Sequence, residues 1–190
     1  VENAGDLYVV DAPNLPMSLT DEEVKEYKDR KDKTVSGIKN DGKFVARNAC
    51  QWDKADTGAV CVQSLGHSMN AVRLPKGNTL SYSFDCDNEG EALLRVALIP
   101  TQPNDKGDLR FSVSIDGAEP QVFSLKEPFR SERWKLNVLR QQAVRELPVT
   151  LSKGHHTITI KALDNHIVLD QWMLDFDTSR KFYVFPVEMN

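Results

Sequence analysis

"GHHTITIKALDNHIVLDQWMLD", residues Gly154 to Asp175, packs two adjacent histidines, three aspartates and a tryptophan among strand-forming residues. In "HTITIKAL" the apolar residues recur every second position, so Ile158, Ile160 and Ala162 share one face. "IVLDQWMLD" follows after the turn residues Asp164 and Asn165. The whole reads as a hairpin of two core strands. Adjacent strand residues point to opposite faces, so His155 and His156 cannot jointly chelate one metal. One is expected to face solvent and the other to pack beside the turn after Gly154. Strict alternation puts Trp172 on one face with Val168 and Asp170, half exposed, and leaves Asp170 and Asp175 facing solvent at the flanks of an apolar run.

The same two-residue period extends in both directions. "GAVCVQSL" (58–65), "NAVRLP" (70–75), "TLSYSFDC" (79–86), "EALLRVALIP" (91–100), "LRFSVSID" (109–116) and "PQVFSL" (120–125) read as strands. So do "ELPVTL" (146–151) and "KFYVFPV" (181–187). "PKGN", "DNEGE", "PNDKGD", "DGAEP" and "SKGHH" punctuate them as turns. Many short strands without βαβ spacing predict an all-β fold, an antiparallel β-sandwich of the jelly-roll, carbohydrate-binding-module-like kind. One stretch, "EPFRSERWKLNVLRQQAVR" (127–145), has room for a helical turn.

Residues 1–43 differ from the rest. They form a charged extension in which "TDEEVKEYKDRK" reads as a short exposed helix, capped by Thr20 with Glu23 completing a capping box. Its few apolar positions, Val24 and Tyr27, make it a linker element, so the expected division is an extension over 1–43 and a sandwich domain over 44–190. The chain opens on Val1 and reads as a mature protein or an excised fragment. With 190 residues, 40% hydrophobic and 27% charged, it can build a core without staples. Net charge is −4 with scattered Lys and Arg, which argues against a nucleic-acid partner. No apolar run approaches the roughly 18 residues of a membrane span. Of the three cysteines, Cys50 and Cys61 can bridge if they flank a hairpin; three partly buried thiols is the favoured reading.

Three stretches resemble the C-terminal domain of glycoside hydrolase family 115, the α-glucuronidases of glucuronoxylan. They are "GDLRFSVSIDGAEPQVFSL", "RWKLNVLRQ" and "LSKGHHTITIKALDNHIVLDQWMLD". The matching positions include Val113, Ile115, Asp116, Gly117, Pro120, Val122, Trp134, Asn137, Val138, Gly154, His156, Thr157, Ile158, Asp164, Val168, Leu169 and Asp170. Upstream, "SLGHSMNAVRLP" supplies Leu65, Gly66 and Ser68. Where the family has a proline-containing turn, this chain has Asn165 and His166. The resemblance implies a non-catalytic accessory β-sandwich from the end of a secreted, periplasmic or extracellular hydrolase. Such tails occur on polysaccharide-degrading enzymes of gut bacteria. The implied partners are the parent's catalytic domain, plant polysaccharide such as xylan, and a second copy in a homo-oligomer. The alternatives are a free-standing carbohydrate-binding module and part of an active glycan hydrolase.

A sugar site needs an exposed aromatic platform with polar groups beside it. Trp52, Trp134 and Trp172 are the aromatic candidates, with Trp52 in the most loop-like setting and Trp134 expected to anchor a loop to the core. Arg73, Arg95 and Arg110 could hold a uronate carboxylate in a bidentate pair. Asp85, Asp87 and Glu89 in "DCDNEGE" alternate so as to offer oxygens for a structural calcium, although solvated turn residues are the favoured reading. No other cofactor is expected. The aspartates of the opening stretch carry no sign of a paired glycosidase centre, and no nucleophile elbow, dinucleotide or phosphate-loop motif occurs.

Overall fold

The computed structural model describes residues 42–101, 108–127, 131–179 and 185–187. The charged extension with its short helix lies outside the described residues, apart from its last two positions. The run expected as a strand over 181–187 is described only at 185–187, where there is no strand.

Among the described residues, eleven strands and one helix follow in order: β1 (Phe44–Asn48), β2 (Lys54–Ala55), β3 (Val60–Gln63), β4 (Asn70–Leu74), β5 (Thr79–Cys86), β6 (Gly90–Leu98), β7 (Arg110–Ile115), β8 (Gln121–Ser124), α1 (Glu132–Arg140), β9 (Ala143–Leu151), β10 (Gly154–Ala162) and β11 (Ile167–Asp175). They make two antiparallel sheets. One runs β3-β4-β11-β6-β9, with β1 also paired to β11; the other runs β2-β5-β10-β7-β8. The opening hairpin therefore does not close on itself. β10 and β11 are the central strands of opposite sheets, and their inner faces meet.

On β10, Ile158, Ile160 and Ala162 are fully buried, as the alternation predicts. They pack with Leu80, Tyr82 and Phe84 of β5, Phe111 and Val113 of β7, and Leu94, Val96 and Leu98 of β6. β11 departs from the sequence reading. Its register against β6 shifts between Leu169 and Gln171, a bulge at Asp170. The extra residue moves every later side chain to the other face. Trp172 thus joins Leu169 and Leu174 in the core instead of sharing a face with Val168 and Asp170. Asp170 and Asp175, expected in solvent, are both 0% exposed.

The outer face of the six-stranded sheet is also covered at its centre. Phe44, Ala46, Ala97 and Met173 pack there with Phe185. From Leu169 onward both faces of β11 are therefore dry, so Asp175 at its end is buried and needs partners of its own. Arg95 Nη1 donates to Asp175 Oδ2 at 2.8 Å, and the Asp177 N–H donates to Oδ1 at 2.9 Å.

The loop after β1 holds a disulfide between Cys50 and Cys61, with an S–S distance of 2.10 Å and a Cα separation of 6.0 Å. This overturns the favoured reading of three thiols; Cys86 alone is free, and buried. The bridge fixes the loop to edge strand β3. Within the loop, Asp53 and Asp56 accept the Ser83 and Thr79 N–H groups at 2.6 and 2.8 Å. Those carboxyls cap donors on the β5 edge beside the two-residue β2, blunting it against pairing with another chain.

Candidate functional site

Helix α1 places the most sequence-specific of the expected site residues. Ser131 caps its N-terminus by accepting the Trp134 N–H at 3.2 Å, and Gln141 ends it in a left-handed conformation (φ 57°). Trp134, Asn137 and Val138 lie three and four residues apart, so they share one helical face. That face lines a cavity of about 60 Å³ with Leu109, Leu125 and Ala143 behind it and Thr101 and Glu127 at its polar side. The volume suits a few water molecules and is far below the roughly 300–1,000 Å³ of small-molecule pockets. Glu127 is already matched: Arg145 Nη2 donates to it at 2.7 Å and Arg133 Nη1 at 3.4 Å. Arg145 spends its remaining donors on the Ser124 and Val144 carbonyls. Trp134 is half-buried and lines this small polar recess.

The other expected residues are dispersed. Trp172 is 0% exposed, packed edge-on to Tyr82 and tilted against Phe84, each at 5.6 Å between ring centroids. It has no ring face to offer a sugar, and the bulge at Asp170 is the reason. Trp52 is half-buried and packs on the main core from the disulfide loop. Arg73 is exposed on β4, flanked in register by Val60 and Val168. Arg110 is committed: its Nε and Nη2 donate to Asp164 at 2.9 and 3.2 Å, a bidentate pair tying β7 to the β10–β11 turn. That hydrogen bond holds the Asp164 carboxyl below its ordinary value. Arg95 is taken by Asp175. Asp85, Asp87 and Glu89 are exposed, and Asp85 lies 3.1 Å from His155 Nδ1. No three His, Cys, Asp or Glu among the described residues gather as a metal site, so the calcium candidates do not converge.

The two histidines do fall on opposite faces. His155 is exposed; His156 is buried with Nδ1 2.6 Å from Asp116 Oδ2 and Nε2 2.7 Å from the Ser152 carbonyl.

Sequence reasoning missed a polar centre built on the bulge. Asp170 accepts the His67 N–H at 2.9 Å, the Ser68 N–H at 3.1 Å and Gln142 Nε2 at 2.8 Å. The same Gln142 amide donates to Gln171 Oε1 at 3.1 Å, and Gln171 Nε2 donates to Asn48 Oδ1 at 3.0 Å. His67 Nε2 in turn donates to the Arg140 carbonyl at 2.8 Å. One buried carboxyl thereby joins the 64–69 loop, the end of α1, the start of β9 and the end of β1. Gly66 (φ 77°) makes this fit: a Cβ there would lie 2.6 Å from Asp170 Cγ and 2.8 Å from Oδ2. Gly66 and Asp170 both match the family pattern, but spacing in the chain gives no sign that they touch. Asp170 is 0% exposed and its three donors come from separate parts of the chain, so the arrangement holds loops together.

Comparison with known proteins fits this picture. The family model described as the "Glycosyl hydrolase family 115 C-terminal domain" matches residues 48–188. Among solved structures, a family GH115 4-O-methyl-α-glucuronidase, BtGH115A, with specificity for decorated arabinogalactans, is 38% identical with a TM-score of 0.64; the match covers 68% of this chain and 17% of that one. The C-terminal family 6 carbohydrate-binding module of a laminarinase from Zobellia galactanivorans is 12% identical with a TM-score of 0.52, covering 70% of this chain and 98% of that one. A family 35 module from Clostridium thermocellum is 14% identical with a TM-score of 0.53, covering 69% and 98%. The last two likenesses establish the fold. No curated protein matches the chain.

Proposed function

As this chain belongs to the glycosyl hydrolase family 115 C-terminal domains, we propose that it is a non-catalytic accessory domain that braces the catalytic domain of its parent hydrolase. The observation that carries this reading is where the sugar-binding candidates have gone. Trp172 is in the core, Trp52 packs on it, Trp134 is half-buried at a recess of about 60 Å³, and Arg95 and Arg110 are held by Asp175 and Asp164, while Arg73 stays exposed. Most groups that would stack on a sugar or grip a uronate are instead taken up within the domain. A rigid body with many fixed loops suits the support of a neighbouring domain or of a second copy.

The sandwich over 44–190 is the supporting body in this reading, with residues 1–43 as the charged connection. The parent is a secreted enzyme acting on uronic-acid-bearing plant polysaccharide such as glucuronoxylan. The Cys50–Cys61 bridge supports the extracellular or periplasmic setting, because disulfides persist in oxidising compartments.

The test uses the purified 190-residue chain with glucuronoxylan and decorated arabinogalactan. It is expected to release no sugar and to give no binding heat in calorimetry. Deleting it from the parent is expected to shorten the enzyme's half-life on heating. Sugar release by the chain alone would overturn the accessory reading. Binding heat that vanishes in Trp52→Ala or Trp134→Ala would replace bracing with carbohydrate binding.

A further inference from the structure

We infer that His156 is a charged clamp that fastens two turns at one end of the five-stranded sheet and lets one of them go as the medium becomes alkaline. The inference does not depend on the bracing role. His156 begins the buried face of β10 and is 7% exposed. Its Nε2 faces the Ser152 carbonyl in the β9–β10 turn at 2.7 Å. A carbonyl only accepts, so Nε2 carries a proton. Its Nδ1 faces Asp116 Oδ2 in the β7–β8 turn at 2.6 Å. The other Asp116 oxygen accepts the Thr157 N–H at 2.8 Å, and the carboxyl is in part open to solvent. Partial burial works against ionising Asp116, but the hydrogen bonds from His156 and the Thr157 N–H outweigh it and hold the carboxyl below its ordinary value. An ionised Asp116 can only accept, so Nδ1 carries a proton too. The ring is an imidazolium with a donor for each turn.

The surroundings contain few other charges. From β5, Phe84 lies with its ring centroid 5.9 Å away, and Asp85 is engaged with His155 on the opposite face. Cys86 is paired in register with Gly154, and Lys153 sits in the turn. His155, next in the chain, is the other titratable group that acts on Asp116. Loss of one proton leaves a ring lone pair facing either a carbonyl oxygen or a carboxylate, both acceptors, so one of the two links turns repulsive. The Asp116 hydrogen bond, then that to Ser152, raise His156 above its ordinary value of 6.5. The sign follows: the clamp's contribution is complete below about pH 6.5, the unfolded value, and disappears as pH rises through the elevated folded value.

Nuclear magnetic resonance titration of the four histidines in the intact chain, from about pH 5 to about pH 9, tests this directly. The His156 ring is expected to titrate above pH 6.5, and the melting temperature to fall through the same interval. Asp116→Asn is expected to lower the His156 midpoint and to flatten the alkaline fall, while in His155→Asn the His156 midpoint stays above 6.5 and the fall remains. A His156 midpoint at or below 6.5 overturns the inference, and so does an unchanged alkaline fall in Asp116→Asn. Should that variant fail to fold, the wild-type midpoint decides.

Discussion

Replacing Gly66 with alanine drives a methyl group into the Asp170 carboxyl. The new Cβ would stand 2.6 Å from Cγ and 2.8 Å from Oδ2, distances at which something must move. The carboxyl cannot give way freely, because the His67 and Ser68 amides and Gln142 hold it from three directions. Two costs combine. A non-glycine residue at φ 77° loses about 1 kcal/mol. Displacing Asp170 breaks or stretches buried hydrogen bonds at about 1–3 kcal/mol for each group left unsatisfied. The expected total is about 3–5 kcal/mol. For a domain of this size each kcal/mol moves the melting temperature by about 2–4 °C, so the fall is roughly 6–20 °C. Gly77 supplies the control. Its φ is 87°, but nothing lies within 4 Å of its added Cβ, so Gly77→Ala should show the backbone cost alone, about 1 kcal/mol. Urea unfolding followed by tryptophan fluorescence reports the difference, with Trp172 buried two residues along β11 from Asp170. Equal losses in the two variants would refute the claim that Gly66 is required by the carboxyl. A double-mutant cycle with Asp170→Asn should show a coupling of at least about 1 kcal/mol between the two positions.

Three further outcomes follow from the same structure. Cys61→Ser, or reduction of the wild type, opens a loop with a sequence separation of 11 and should cost about 2–3 kcal/mol in chemical denaturation, with no additional loss on reducing the variant. Arg95→Met leaves the 0% exposed Asp175 without its charged partner and should cost about 3–5 kcal/mol, read as a lower melting temperature at neutral pH; Arg95→Lys should recover part of it. His67 acts on the opposite side of neutrality from His156. Burial lowers its proton affinity, against the raising effects of the Arg140 carbonyl and Asp170. The folded state holds it neutral while the unfolded chain protonates near pH 6.5, so stability falls as pH drops below about 6.5. His67→Gln should flatten that acid limb in thermal melts; an acid limb as steep as the wild type would show that the carboxyls alone produce it.

The fold was legible because most of its strands carry a single side-chain period. In β10 the apolar residues at 158, 160 and 162 name the buried face without help from any other part of the chain. The β7 alternation of Phe111 and Val113 does the same. β1 and β2 escaped notice for a physical reason. Phe44–Asn48 is five residues long, with Arg47 and Asn48 at its end, and β2 has only two residues; both are strands because β11 and β5 offer them open ladder positions. Helix α1 was visible only as a place where alternation fails. The disulfide could not be separated from two small apolar residues, since what decides it is the 6.0 Å between the Cα atoms, a property of the folded loop.

The site residues were harder to read because one residue in β11 breaks the period. β4 and β1 share the same side of β11, β4 pairing with residues 167–169 and β1 with 171–175. Asp170 falls at the junction, where its carbonyl accepts the Ala49 N–H at 2.8 Å and its side chain is taken up by a loop about a hundred residues earlier. A bulge is favoured at such a junction, since an extra residue lets one strand serve two collinear partners. Once it is there, Trp172 must turn inward, and the candidate sugar platform becomes core. Asp170 is read as solvent-facing from its neighbours alone, yet its three donors come from the 64–69 loop and the connection between α1 and β9. The polar character of the stretch that looked most like a reactive cluster is therefore architectural. Asp170 ties the loops, Asp164 and Asp175 each receive an arginine, and His156 receives Asp116. Charged groups used in this way fix the loops of the domain and are withdrawn from recognition, which is the physical support for the bracing role we propose.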